Sequence, residues 1–262
     1  MKKYSLPLML LASATALIGC NKTQKTEVRI FAAASMTETL ESIEKKYEKK
    51  HKNVDLLFNF DSSGKLKTQI MEGAECDLFI SAAQKQMNEL QTAGKVNVET
   101  RLDLLENKVA LVVPKKNPKG VTSFEVLKEK LVAKEQGFIL AMGNSDVPVG
   151  QYTSKILNHY GLSEADLNAN GLISYGDNVK VVTTQVANAA VSCGIVYKTD
   201  AFSANLEVVD TATEEMCGRC LYPAAVLAGS KVEEESRAFL EYLKGSQAKK
   251  VFEGVGFTAL VG

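Results

Sequence analysis

The sequence predicts an α/β protein built from two blocks, each a sheet with helices on both faces. Apolar or alternating runs typical of strands are repeatedly followed by helical patterns, and this alternation favours parallel sheets. The chain has 262 residues, enough for one large domain or two lobes. No low-complexity linker separates the blocks, which favours two lobes joined by strands over two independent domains.

The N-terminal segment has the form of a signal peptide. Lys2 and Lys3 precede the apolar run "LPLMLLASATALIG", which is too short for a comfortable membrane span. The run ends in "LIGC", which resembles the bacterial lipobox, so residues 1–19 are expected to be removed and Cys20 to carry lipid. Residues 20–26 would form a polar tether. An ordinary signal peptide with a chance cysteine remains the alternative. The lipid would be the only membrane attachment of an extracytoplasmic protein.

The first block alternates strands and helices. "EVRIFAAA" is predicted as a strand, and "MTETLESIEKKYEKKH" as a helix that places Met36, Leu40, Ile43 and Tyr47 on one face. "NVDLLFNF" and "CDLFISA" are two further strands. "GKLKTQIMEG" and "AQKQMNELQTAG" are the helices that follow them.

The second block repeats this logic. "NKVALVVPKKNP", residues 107–118, is a long apolar strand before the helix "SFEVLKEKLVAK". A strand, the turn 143–150 and a helix over 151–160 follow. A strand at 172–175 then leads into a helix from about Val179, and "CGIVYKTDA" and "LYPAAVLAGS" are strands. Residues 107–114 and 222–228 are candidate crossovers, so lobe 1 is predicted at 27–110 plus 227–262, which includes the C-terminal helices, and lobe 2 at 111–226.

Charge gives no indication of a nucleic-acid or membrane-surface partner. Lys plus Arg equals Asp plus Glu at 31 each, so the chain lacks a global basic field.

Four predicted strand-to-helix turns carry small or hydroxyl residues: "AAAS", "DSSGK", "SDVPVGQ" and "GDNVK". In open α/β sheets, ligands bind beyond the carboxyl ends of strands, where helix N-termini offer unpaired N–H groups. Any single one of these turns is explained as well by an ordinary helix cap. Two turns from each block, facing one another, would form a cage of neutral donors for an anion. "SSGK" lacks the spacing of a P-loop.

The ordered set "RIFAAASMTETL", "DSSGKLKTQIMEGAECDLFISA", "VPVGQY", "GIVYKTDA" and "YPAAVLAGS" resembles the substrate-binding proteins of bacterial molybdate ABC importers. The resemblance covers about residues 27–261. It implies a class II periplasmic binding protein fold, with two mostly parallel sheets joined by two crossover strands. It also implies a bound molybdate or tungstate, no cofactor, and an ABC permease with its ATPase as partners of a monomer. Molybdenum would be present only as the oxyanion.

The resemblance assigns five ligand contacts to this chain. Ser35 and Ser63 would each donate a hydroxyl and a backbone N–H, Val149 and Val179 a backbone N–H, and Tyr197 its phenol. The family often has a serine or threonine after the serine pair, where this chain has Gly64. That departure leaves one further donor open.

Neutral donors can hold a tetrahedral dianion in a cavity that excludes water. Cavity size would discriminate against sulfate, whereas molybdate and tungstate are nearly isosteric. We expect the lobes to close about the crossover strands around the anion. The alternatives are sulfate, thiosulfate or phosphate on the same fold, an enzyme with Ser63 or Cys217 as nucleophile, and a purely structural lipoprotein. The enzyme would need a nearby base, and no histidine is well placed.

Four cysteines follow the lipidation site. Cys76 is expected to be a buried apolar residue. A Cys193–Cys217 bridge would be feasible if their strands were neighbours, and Cys193–Cys220 and Cys217–Cys220 pairings stay open. The lone CxxC at 217–220 precedes a predicted strand rather than a helix, which argues against redox catalysis. No second CxxC or histidine pair indicates zinc.

Overall fold

A computed structural model of the protein describes residues 25–261. The predicted signal peptide, Cys20 and most of the tether lie outside these residues. Eleven strands are present among them: β1 Thr26–Ala33, β2 Val54–Asp61, β3 Leu78–Ile80, β4 Leu102–Asn107, β5 Val109–Val113, β6 Leu140–Gly143, β7 Ile173–Gly176, β8 Cys193–Tyr197, β9 Glu207–Thr211, β10 Cys220–Val226 and β11 Thr258–Ala259.

Eleven α-helices connect these strands within the described part of the chain: α1 Thr37–Lys50, α2 Ser63–Met71, α3 Gln84–Thr92, α4 Phe124–Val132, α5 Pro148–His159, α6 Glu164–Ala169, α7 Val179–Ala187, α8 Lys198–Ser203, α9 Glu214–Cys217, α10 Glu233–Lys244 and α11 Ser246–Gly254. Short 3₁₀ turns occupy Ala34–Met36 and Val98–Thr100. None of the helices in residues 25–261 is both long and apolar enough to cross a membrane.

The strands form two sheets, which confirms the predicted two-block α/β architecture. The first sheet has the order β11-β4-β10-β3-β1-β2 and the second the order β7-β6-β8-β5-β9. The pairs β1–β2, β1–β3, β6–β7 and β6–β8 are parallel, as βαβ connections require. The pairs β3–β10, β4–β10, β4–β11, β5–β8 and β5–β9 are antiparallel, so both sheets are mixed and not mostly parallel as expected. The strands at the passages between the sheets reverse direction, which the sequence pattern did not indicate.

The chain passes between the sheets twice. The first passage is Lys108, between β4 and β5, and lies within three residues of the predicted boundary at 110. The second runs over residues 212–219, between β9 and β10. Strand β10 pairs with β3 and β4, so it belongs to the first sheet, and the predicted boundary at 226 must move to this passage. An apolar strand fits either core equally well, and its pairing partner cannot be read from its composition.

Helix formation follows the predicted patterns closely. In α1, Leu40, Ile43 and Tyr47 are buried. Tyr47 packs edge-on against Phe239 of α10, with ring centroids 4.9 Å apart, so the C-terminal helices return to the first sheet as expected. Side-chain caps start several helices: Ser62 accepts from the backbone of α2, Ser123 from α4 and Asn178 from α7.

The four cysteines after residue 24 are free and buried. Cys76 is a buried apolar residue, as predicted. The condition for a Cys193–Cys217 bridge is not met, because β8 lies between β6 and β5 and is not a neighbour of β10.

Candidate ligand-binding site between the two sheets

One cleft between the sheets is lined by all five residues that the sequence singled out: Ser35, Ser63, Val149, Val179 and Tyr197. The cleft is narrow, with an empty volume of about 200 Å³ including the space open to solvent. The contributing turns follow β1, β2, β6, β7 and β8, so the cleft lies at the carboxyl ends of parallel strands in both sheets. It therefore suits a small ligand.

Ser35 lies in the 3₁₀ turn after β1 and is held by a chain of hydrogen bonds. The backbone N–H of Lys108 donates to Asn107 Oδ1 at 2.8 Å, which fixes the orientation of the Asn107 amide. Asn107 Nδ2 then donates to the phenol oxygen of Tyr222 at 3.2 Å. The Tyr222 oxygen lies 2.9 Å from Ser35 Oγ, and either hydroxyl can donate in this pair; since the Tyr222 oxygen already accepts from Asn107, its own proton can be donated to Ser35.

The direction of this chain determines what Ser35 can offer a ligand. When Tyr222 donates to Ser35 Oγ, the proton of Ser35 is available for the cleft. Burial raises the pKa of Tyr222 well above its usual value, so the phenol stays protonated. Tyr222 and Asn107 were missed by sequence reasoning, because they lie far from Ser35 in the chain and no local pattern links them.

Ser62 and Ser63 have different roles: Ser62 caps a helix, and Ser63 faces the cleft. Ser62 Oγ accepts from the backbone N–H of Lys65 at 3.4 Å and so caps α2. Ser63, the first residue of α2, has no exposed surface, and its Oγ accepts from the backbone N–H of Ala82 at 3.0 Å. Its hydroxyl proton is therefore free to point at a ligand. The capping interpretation of this turn thus holds for Ser62 alone.

Gly64 allows the two sheets to approach each other closely. Its backbone N–H donates to the carbonyl of Asp146, in the turn before α5, at 3.1 Å. A Cβ atom at this position would lie 2.1 Å from that same carbonyl oxygen. The departure from the serine or threonine of the resembling family is thus matched by a backbone contact across the cleft.

Val149 and Val179 present main-chain donors from the second sheet. Val149 is the second residue of α5, after Pro148, and Val179 is the first residue of α7. The first N–H groups of a helix have no intrahelical partner. Asn178 Oδ1 accepts from Val181, so the cap of α7 leaves the N–H of Val179 to the cleft.

Tyr197 ends β8 and reaches across the cleft. Its phenol donates to the carbonyl of Ala82 at 3.4 Å, and only 2% of the residue is exposed. Burial raises the pKa of Tyr197 well above its usual value. The phenol is therefore neutral, and its proton is donated to Ala82, so donation to a ligand would replace this hydrogen bond.

Charged side chains bridge the sheets at the mouth of the cleft, and sequence reasoning missed them. Lys65 contacts Asp177 at 2.6 Å, and Lys180 contacts Glu38 at 2.8 Å. Lys180 also lies 3.2 Å from Asp200, whose carboxylate oxygens have no aligned hydrogen-bond partner in the described residues. Burial raises the pKa of Asp200 to about 6, against the opposing effect of Lys180.

The proposed nucleophiles lack the surroundings that catalysis needs. Lys65, the base that the sequence offered for Ser63, is paired with Asp177. Cys217 lies near the second passage, outside the cleft. The residues that the structure describes contain no group of three or more side chains placed to hold a metal ion.

A larger cleft, of about 770 Å³, lies at the opposite end of the first sheet. Most of its charges are already paired: Arg29 contacts Glu27 at 2.8 Å, and Lys231 contacts Glu75 at 3.3 Å. Asp77 accepts from the backbone of Arg29 and from Ser230. This cleft therefore presents few free donors, and its size does not make it the better candidate.

Comparison with known proteins gives a consistent result. Residues 28–258 match the family described as bacterial extracellular solute-binding protein. A Bacillus subtilis protein, YvgL, whose name describes an ABC transporter substrate-binding lipoprotein, is 36% identical over 98% of this chain and 99% of its own length. The molybdate-binding protein ModA of Haemophilus influenzae is 32% identical over 92% of this chain and 94% of its own.

A solved structure supports the fold. The periplasmic molybdate-binding protein of Azotobacter vinelandii superposes with a TM-score of 0.76, covering 88% of this chain and 98% of its own, at 20% identity. The two-sheet arrangement is therefore that of a two-lobed periplasmic binding protein.

Proposed function

Because the chain belongs to the bacterial extracellular solute-binding protein family, we propose that it captures molybdate or tungstate outside the cytoplasm and delivers it to an ABC permease with its ATPase. Members of this family are solute-binding proteins and not enzymes, in agreement with the expectation from the sequence. Binding of this kind needs no cofactor. The name of the Haemophilus influenzae relative supports the choice of ligand.

The observation that carries the proposal is the convergence of neutral donors from both sheets on one small cleft. Ser35 and Ser63 offer hydroxyl protons from the first sheet, and Val149 and Val179 offer backbone N–H groups from the second. A dianion bound among them would join the two lobes, since each lobe supplies part of its hydrogen bonds.

The donor set also favours a fully deprotonated anion. The donors at the predicted contacts are neutral and carry protons, so a proton on the ligand would face another proton instead of an acceptor. Phosphate retains a proton near neutral pH and would be disfavoured. Sulfate and thiosulfate remain the alternatives on the same fold, and discrimination against sulfate would come from the size of the closed cleft.

The direct test is isothermal titration of the mature chain with molybdate, tungstate, sulfate and phosphate in turn. We expect one-to-one binding of molybdate and tungstate, with sulfate weaker and phosphate weakest. Binding of sulfate alone would keep the fold and replace the ligand. No heat with any of the four would overturn the proposal. Ser123→Ala is a matched control, because it removes a helix cap on α4 outside the cleft.

We also propose that Cys20 carries the lipid anchor, an assignment supported by the "LIGC" motif and by the name of the Bacillus subtilis relative. Cells expressing the full chain should incorporate labelled fatty acid into it, and Cys20→Ala should abolish the label. A labelled Cys20→Ala protein would contradict the assignment.

A further inference from the structure

The "CGRC" segment lies at the junction of the two sheets. Cys217 is the last residue of α9 and Cys220 the first of β10, so the pair ends the second passage. Arg219 between them contacts Glu106 of β4 at 2.6 Å, next to the first passage at Lys108. The dithiol therefore lies where the lobes are joined and is separate from the anion cleft.

The two cysteines flank a tight turn. Gly218 takes a φ of 77°, which reverses the chain after α9 and brings Cys217 and Cys220 to the lining of one small cleft. Both cysteines are buried, whereas Gly218 and Arg219 between them are exposed. A shallow cleft of about 230 Å³ is lined by all four residues and opens this turn to solvent.

The surroundings differentiate the two sulfurs. The Cys217 thiol donates to the carbonyls of Gly218 at 3.5 Å and Thr213 at 3.8 Å. The neighbouring Cys220 lowers the pKa of Cys217, assisted by the positive charges of Lys155 and Lys108. The ammonium of Lys155 also donates to the Cys217 carbonyl at 3.4 Å. The neighbouring Cys217, together with burial, raises the pKa of Cys220. Cys217 is therefore the thiol that ionises first and attacks first.

The other two described cysteines behave differently. Burial raises the pKa of both Cys76 and Cys193. Cys76 donates to the carbonyl of Leu78, and no thiol partner accompanies either residue in the described part of the chain. They are internal controls for the reactivity of the pair.

We propose that Cys217 and Cys220 are a disulfide-forming dithiol at the inter-lobe junction, oxidised by thiol–disulfide exchange outside the cytoplasm. The Cys217 thiolate attacks one sulfur of an external disulfide, forms a mixed disulfide and releases the first thiolate. The Cys220 thiolate then attacks Cys217 Sγ and releases the second. The protein loses two electrons and two protons, and the external disulfide is reduced to two thiols.

This pair is a modification site that the anion-binding function does not require. Extracytoplasmic proteins meet the oxidising conditions in which such pairs form and persist. The disulfide would close the turn 217–220 covalently and leave the contacts of the anion cleft unchanged.

The proposed disulfide can be mapped by trypsin, because the "CGRC" segment contains a cleavage site after Arg219. The purified full chain is equilibrated with oxidised and reduced glutathione in varied ratio, acid-quenched, alkylated in denaturant and digested with trypsin. Trypsin cleaves after Arg219, so the disulfide would join peptides 199–219 and 220–231 into one species. We expect this species, two hydrogens lighter than the sum of the free peptides, with Cys76 and Cys193 alkylated throughout.

Three outcomes would overturn the proposal: both peptides fully alkylated under excess oxidised glutathione, separate glutathione adducts on Cys217 and Cys220, or a disulfide that includes Cys76 or Cys193. Cys217→Ser should leave Cys220 unlinked. If that variant fails to fold, the mapping on the unaltered chain decides the question alone.

Discussion

The two walls of the anion cleft offer the same kind of donor by different means. The wall from the first sheet uses side-chain hydroxyls: Ser63 accepts from the backbone N–H of Ala82, and Ser35 is hydrogen-bonded to Tyr222. The wall from the second sheet uses main-chain N–H groups at Val149 and Val179. A side-chain donor is lost by one substitution, whereas a main-chain donor survives a change of side chain. The two walls should therefore respond very differently to mutation.

The largest effect is expected where the walls touch. Gly64→Ala would place a Cβ atom against the Asp146 carbonyl and keep the walls apart. Overpacking of this kind costs about 3 kcal/mol, so molybdate affinity should fall more than about 100-fold. Titration calorimetry measures the effect. Gly254→Ala, with no atom near its added methyl, is the control, and an unchanged affinity for Gly64→Ala would mean that the bound form is more open.

A buried charge behind the second wall should make stability depend on pH. The pKa of Asp200 rises from 3.8 to about 6 in the folded chain, so the folded state binds the proton more tightly than the unfolded state. Stability should therefore fall as pH rises from about 4 through 6, by about 3 kcal/mol in total. The groups that act on it are Lys180, which opposes the shift, and Glu38, which adds to it.

Urea unfolding between pH 4 and 7.5 tests this expectation. Asp200→Asn should remove this component, so the difference between wild type and variant should change with pH in that window. Asp166→Asn, at an exposed surface pair with Lys134, is the control. A constant difference between wild type and Asp200→Asn would show that the carboxyl titrates normally.

The contrast between hydroxyl and main-chain donors gives the third prediction. Ser35→Ala or Ser63→Ala removes a hydrogen bond to a charged ligand, which costs about 2 kcal/mol, so affinity should fall roughly 30-fold. Val149→Ala keeps the N–H and should change affinity by less than about threefold, although it lowers stability through a small cavity. Titration with molybdate, paired with thermal unfolding, separates the two effects. Equal losses of affinity for Ser63→Ala and Val149→Ala would contradict the distinction between the walls.

The smallest effect on molybdate affinity is expected at the mouth of the anion cleft, where Lys180 pairs with Glu38. Glu38→Gln breaks the contact with Lys180, but both side chains are partly exposed, at 52% and 30%. Such pairs contribute about 0.5 kcal/mol or less, so affinity should fall by about twofold, and only at low salt. A loss above tenfold that persists in high salt would mean that this pair, and not the walls, holds the lobes closed.

Local patterns predicted the elements that form the cleft. The serine turns after β1 and β2 and the helix start near Val179 are encoded within a few residues of chain, where capping and periodicity are readable. Helix α5 begins at Pro148, three residues before its predicted start at 151. The assignment of Ser62 as cap and Ser63 as free donor could not be read this way, because the partner of Ser63 is the backbone of Ala82. The pairing of Lys180 with Glu38 was equally hidden, since the two residues lie on different lobes.

The sequence by itself determined the α/β class and the two-block organisation, because hydrophobic period and helix-start chemistry are local properties, and its resemblance to a known family assigned the five residues that line the cleft. Only the tertiary structure decided that β10 returns to the first sheet, that Tyr222 and Asn107 orient Ser35, and that Gly64 touches Asp146. These contacts join positions far apart in the chain. Their energies depend on which strands pair and how closely the lobes approach, and no single segment carries that information.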